Sequence, residues 1–189
     1  MAATFTRARG GRVKVRLGDE DRSVVAGLLE AVSEMLEPEE PAAAQGEGDL
    51  FARLEAELAA PRPADPAVAR LLPDASHDDP EIAEGFRRLT QDDLRERKRS
   101  ALAVAAAALR RPAPVVLSDG EAQALLKGLT DVRLVLAERL GLRSDEDAEF
   151  LHAAVAAGAD EGDNPWAQTA GLYDVVTFLQ EDLVHAIAS

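Results

Sequence analysis

The sequence predicts an α+β fold that is predominantly α-helical, with about six to seven helices and a small antiparallel sheet formed by an N-terminal β-hairpin and a short strand near 115–117. Three observations carry that expectation. Aromatic residues are 4% of the chain, so the core has to be assembled from Leu, Val and Ala, a mixture that suits helix packing better than a β-sandwich. Apolar residues recur at helical spacing through most of the length. Two short extended runs flank Gly10-Gly11, and one further apolar run, Val115 to Leu117, stands between prolines and a helix start. At 189 residues, 47% hydrophobic and 30% charged, a single domain over 1–189 is expected.

Residues 1–17 read as a basic β-hairpin. Phe5 to Arg9 and Arg12 to Leu17 are the strands, and Gly10-Gly11 supplies the positive φ of a two-residue turn. That turn would set Arg9 opposite Arg12, Arg7 opposite Lys14 and Phe5 opposite Arg16. Arg7, Arg9, Arg12, Lys14 and Arg16 would then share one face. Thr4, Thr6 and Ala8, across from Leu17, Val15 and Val13, would form a modestly apolar face against the helices.

A helix from Asp19 to Glu37 follows, with Val24, Val25, Leu28, Leu29, Val32, Met35 and Leu36 inward and Pro38 ending it. Residues 38–48 mix Pro, Gly and acid without periodicity and read as a mobile loop before a helix over Asp49 to Ala59. Asp65-Pro66, Asp79-Pro80 and Asn164-Pro165 each announce a helix by a polar cap followed by proline in the first turn. Pro80 to Leu89 is expected to be helical, with Thr90, Asp92 and Asp93 capping a fresh helix through Leu109 that Pro112 and Pro114 stop.

Ser118-Asp-Gly-Glu121 is a capping-box pattern opening a helix to Leu140, with Ala122, Leu125, Leu126, Leu129, Val132, Leu136 and Leu140 as its stripe. Leu17, Asp19, Leu29 and Val32 match Leu117, Asp119, Leu129 and Val132 at a constant offset. Either a strand-to-helix unit recurs or the agreement is chance in an Ala/Leu-rich chain. Ser144-Asp-Glu-Asp caps a helix to Ala157, residues 158–164 form an acidic loop, and Trp166 to Ala188 closes the chain with Leu172, Val176, Leu179, Leu183 and Ile187 inward.

Chemistry is sparse. With no cysteine, disulfides, thiolate metal sites and cysteine nucleophiles are excluded. His77, His152 and His185 lie in separate segments without ligand spacing, and Asp160 to Asn164 lacks the pattern of a calcium loop, so no metal is expected. No phosphate-binding glycine loop or nucleophile elbow is present, and no cofactor or enzymatic activity is expected. Trp166 and Tyr173 read as anchors of the last helix in the core. No apolar stretch is long enough to span a bilayer and the N-terminus lacks the apolar centre of a signal peptide, so a cytoplasmic protein is expected.

Charge is distributed unevenly. The chain carries −14 formally, yet its first 16 residues hold five cations and no acid, leaving 16 basic against 35 acidic residues, or −19, on the rest. Like charges paired across a ribbon repel, so something should offset them. Three readings stand: solvation or pairing with the chain's own acidic helices, an acidic protein partner, or DNA phosphate. The cluster Arg87, Arg88, Arg95, Arg97, Lys98 and Arg99 is broken by Asp92, Asp93 and Glu96 and reads as a salt-bridged helix face. An apolar helix face left over after packing would leave room for a homodimer.

Four stretches, read together, add a resemblance. They are Phe5-Thr-Arg-Ala-Arg-Gly-Gly-Arg12; Ala69-Arg-Leu-Leu-Pro-Asp-Ala75 continuing to Phe86-Arg-Arg-Leu-Thr90; Asp131-Val-Arg-Leu-Val-Leu136 with Arg139-Leu-Gly141; and Tyr173-Asp174 with Leu179-Gln-Glu-Asp-Leu-Val184. In this order the chain resembles the AosR-type oxidative-stress transcriptional regulator family, formerly a bacterial domain of unknown function. The resemblance implies a regulator of transcription that contacts a sigma factor or RNA polymerase; a DNA-binding protein using the basic β-ribbon, and a structural or adaptor protein whose charged surface maintains solubility, are the alternatives. The chain departs from the family's pattern at Thr130, Val175 and Phe178, and it has no cysteine for a thiol-based sensor.

Overall fold

The computed structural model describes residues 4–38, 63–73, 80–156 and 165–189. The expected loop at 38–48 (Pro38 apart), the helix over Asp49 to Ala59, the acidic loop at 158–164, the capping residues Asp79 and Asn164, and His77 lie outside the described residues. The fold is predominantly helical α+β. In order it runs β1 (Phe5–Arg7), β2 (Val13–Val15), α1 (Asp19–Met35), α2 (Pro66–Leu71), α3 (Pro80–Leu109), β3 (Val116–Leu117), α4 (Asp119–Leu140), α5 (Asp145–Ala156) and α6 (Pro165–Ala188). The strands form one antiparallel sheet of order β1-β2-β3, the short strand near 115–117 pairing with the hairpin as expected.

Three helix starts have a local cause. The Asp65 carboxylate accepts from the Ala67 amide at 2.8 Å while Pro66 occupies the first turn of α2. Ser118 and Glu121 close the capping box of α4, and Gly141 ends that helix in the left-handed conformation. Asp147 accepts from the Arg143 and Ser144 amides at 2.8 and 2.9 Å, which holds its carboxyl below the usual carboxylate range.

One expected boundary is absent: α3 is a single helix of 30 residues, and Thr90 lies inside it. From residue 86 to 109 the sequence has neither Gly nor Pro to break the hydrogen-bond ladder. Gln91, Leu94, Lys98, Leu102 and Ala105 continue along one side, and packing of that side stabilises an uninterrupted helix where the local capping signal would have ended it. The described part of the basic cluster makes no ion pair with Asp92, Asp93 or Glu96; Lys98 and Arg99 pair instead with Asp131 and Glu37 of other segments. Arg95 donates to the Leu36 carbonyl at 3.2 Å and Arg99 pairs with Glu37 at 3.2 Å, both closing the end of α1; Arg97 bonds the Asp93 carbonyl within its own helix.

The core is one cluster drawn from all three strands and from α1, α2, α3, α4 and α6. Val25, Ala26, Leu29, Val32 and Leu36 are the buried side of α1, whereas Val24, expected inward, is 54% exposed. Trp166, expected as a core anchor, stands 47% exposed at the first turn of α6; Tyr173 does pack on the core. In the first turns of α6 the buried side chains are Ala167 and Ala170, and Trp166 lies off that side. Both β2 and β3 lead directly into a helix, with Leu29, Val32, Leu129 and Val132 buried in corresponding places. Arg22, itself buried, donates to the carbonyls of Leu17, Leu109 and Arg111 and so ties the foot of the hairpin to the end of α3.

Glu138 joins three elements by accepting from Arg70 on α2 at 3.1 Å and from Arg143 beyond α4 at 2.9 Å. The Arg70 hydrogen bond, opposed by burial and aided by Arg143, holds its carboxyl below the usual range. A lowered folded-state pKa contributes stability above the unfolded value, lost as pH falls through the folded one. Glu138→Gln is therefore expected to unfold at lower urea than the parent at pH 7, the two converging as pH falls through the lowered folded-state value.

Candidate partner-binding face

The hairpin forms, but its pairing is displaced by one residue from the expected register. Gly10 and Gly11 both have φ of +74°, within a three-residue turn, Arg9–Gly11, closed by the Ala8 amide donating to the Arg12 carbonyl at 2.7 Å. Phe5 stands opposite Val15, Thr6 opposite Lys14 and Arg7 opposite Val13. Because side chains alternate with a period of two, that single step exchanges the faces. Burial is the physical reason: Phe5, Val13, Val15 and Leu117 are 3%, 1%, 5% and 0% exposed. The two-residue turn would have left Phe5 among the cations, forfeiting about 2 kcal/mol of side-chain burial.

The slip redistributes the five expected contact residues. Arg12, Lys14 and Arg16 line the outer face with Thr4 and Thr6, and Arg16 Nε reaches the Thr6 hydroxyl at 3.4 Å. Arg7 is removed from that face; its guanidinium donates to the Ile187 carbonyl at 2.5 Å, in the last turn of α6, where the helix dipole favours a cation. Arg9 sits in the turn, its carbonyl accepting from Arg12 Nε at 3.3 Å. One face therefore holds three of the five cations, with Arg9 at the tip.

Among the described residues none of these five cations has a carboxylate partner. Arg22, Arg70, Lys98, Arg99, Arg110, Arg111, Arg139 and Arg143 each do. Arg95, Arg97, Lys127 and Arg133, like the five, have none, so the hairpin is distinguished by the clustering of Arg12, Lys14 and Arg16 on one exposed face.

The ribbon is braced from both sides. One carboxylate oxygen of Asp182 on α6 accepts from the Thr4 and Phe5 amides at 2.6 and 2.7 Å, and Arg111 donates to the Val116 carbonyl of β3 at 3.2 Å. Nothing local singles out Asp182, one of 35 acids and 178 residues from Thr4. Asp182→Ala leaves two amides without their charged acceptor. It is expected to cost about 2 kcal/mol and to speed hydrogen exchange at Thr4 and Phe5 before that of α4.

Other candidates disperse. His152 and Asp174 meet at 2.5 Å between α5 and α6 with His152 largely exposed, and His185 lies exposed near the end of α6. Among the described residues no three His, Asp or Glu side chains are grouped to hold a metal, and no helix is long and apolar enough to cross a membrane. A shallow cavity of about 190 Å³ lies between α1 and α3, with Glu30, Ser33, Glu34 and Glu37 around Leu102 and Ala103. Arg110 and Arg99 already engage Glu30 and Glu37.

No curated protein and no solved structure gave a significant match to the chain. The model of one family, described as Domain of unknown function (DUF2017), matches residues 1–187. Since that match takes in hairpin, helices and sheet alike, the chain belongs to the DUF2017 family.

Proposed function

We propose that this protein is a non-enzymatic regulator of transcription that works by protein–protein contact, using the outer face of its hairpin against an acidic surface of the partner. The supporting observation is that Arg12, Lys14 and Arg16 stand exposed on the middle segment of a sheet braced at both edges, without a carboxylate partner among the described residues. A cationic face held in advance loses little conformational entropy on binding and steers an anionic partner towards it. The resemblance to AosR-type regulators supplies the partner class, a sigma factor or RNA polymerase in the cytoplasm, and the link to oxidative stress. With no cysteine in the chain, either it senses no oxidant itself or its signal is not a disulfide. A protein surface suits this face better than DNA, because a duplex would also meet a body of −19.

Affinity capture from a lysate tests the reading. The wild-type chain is expected to recover a sigma factor or polymerase subunit, and Arg12→Glu/Lys14→Glu/Arg16→Glu to lose it with an unchanged unfolding midpoint. Equal recovery by both would move the interface off the hairpin. A mobility shift of duplex DNA that weakens steeply with salt would replace the protein partner by nucleic acid.

A further inference from the structure

The bracing of the sheet restricts how a partner can sit on it. Peptides commonly join a sheet by adding a strand to an open edge, where free amides and carbonyls give the affinity. Here the edges are short and partly occupied. β1 has three residues, and Asp182 takes the amides at its start; β3 has two, and Arg111 takes the Val116 carbonyl. At the β1 edge the Arg7 side chain crosses to the end of α6. What remains open is the outer face.

That face has a definite pitch. The ladder continues past β2 at both ends, through the Ala8 amide to the Arg12 carbonyl and the Arg16 amide to the Thr4 carbonyl, so Arg12, Lys14 and Arg16 lie on one extended segment. Alternate residues of a strand are about 6.8 Å apart, which puts the three cations in a row about 13–14 Å long. Carboxylates at i, i+4 and i+8 of an α-helix rise by about 6 Å per step and about 12 Å in all. The long arms of Arg and Lys absorb the difference. A helix satisfies its own backbone and needs no sheet edge, and Val116, paired with Lys14 and partly buried, offers it an apolar footing beside the cations.

We infer that the occupant of the outer face is an acidic α-helix of the partner protein, laid along β2 with carboxylates at i, i+4 and i+8 facing Arg12, Lys14 and Arg16. This rests on the reading of the hairpin as a protein-binding face, and names the shape and spacing of what it binds.

Two labelled helical peptides of identical composition and charge test it, one with its Glu residues at i, i+4 and i+8 on a single face and one with them distributed around the helix. Circular dichroism first confirms equal helicity. By fluorescence anisotropy at low salt, the one-faced peptide is expected to bind the full chain about tenfold more tightly, and Arg12→Glu/Lys14→Glu/Arg16→Glu to lose that preference. Equal binding of the two peptides, or none by the one-faced peptide, overturns the helix geometry. The hairpin reading stands if capture of the natural partner still depends on the triple change. Binding of the one-faced peptide that survives the triple change overturns both readings, and a DNA duplex bound in preference to either peptide overturns the acidic helix.

Discussion

Lys98→Met is expected to destabilise the protein by about 3–5 kcal/mol in urea unfolding at neutral pH. Lys98 Nζ meets the Asp131 carboxylate at 2.5 Å between α3 and α4, their side chains 21% and 6% exposed. Burial pushes the Asp131 carboxyl up, against the hydrogen bond and charge of Lys98 that pull it down. Removing Lys98 leaves a carboxylate desolvated without compensation. A raised folded-state pKa means that the stability contributed by Asp131 is full below its unfolded value, about 3.9, and is lost as pH rises through the folded one. The deficit of the variant should therefore shrink on acidification. Lys98→Met/Asp131→Leu is expected to recover most of the loss, since a packed apolar pair can replace a buried ion pair at little net cost. A double variant as unstable as the single would place the cost in lost packing of the lysine stem.

The second large effect is expected where α1 approaches α4. A methyl placed on Gly128 would meet Leu29 Cδ2 at 2.6 Å, and Leu29 is wholly buried. Gly128→Ala is expected to lose about 1–3 kcal/mol to overpacking, relieved in part by about 1 kcal/mol of helix propensity. Leu29→Ala alone should lose about 2–5 kcal/mol through the cavity it leaves. The double variant should be more stable than the sum of the two by about 1–2 kcal/mol, because the new methyl enters space that the leucine vacates. Strict additivity in unfolding midpoints would show that the two positions do not share that space.

Much of the architecture was legible because its signals are local. The Asp65-Pro66 cap, the capping box of Ser118 and Glu121 and the stripe through Leu125, Leu129 and Val132 each depend on residues within a few positions of one another. The signals that misled were local too. Thr90 with Asp92 and Asp93 resembles a cap, but a cap only offers an alternative to the helical ladder, and packing along α3 outweighs it. Gly10-Gly11 suits a two-residue turn as well as the three-residue one; what separates them is which face carries Phe5, and that is decided where Leu117 lies.

By itself the sequence determined the helical class, the sheet of hairpin plus short strand, most helix starts and the concentration of cations in the first 16 residues. These follow from periodicity, capping and formal charge, which need no knowledge of distant contacts. Tertiary structure alone decided that three cations share the exposed face, that Arg7 is turned to the end of α6 and that Asp182 holds β1. The reason is the pleat. A one-residue choice of register moves every side chain to the opposite face, and the apolar contacts that make the choice come from segments more than 100 residues away.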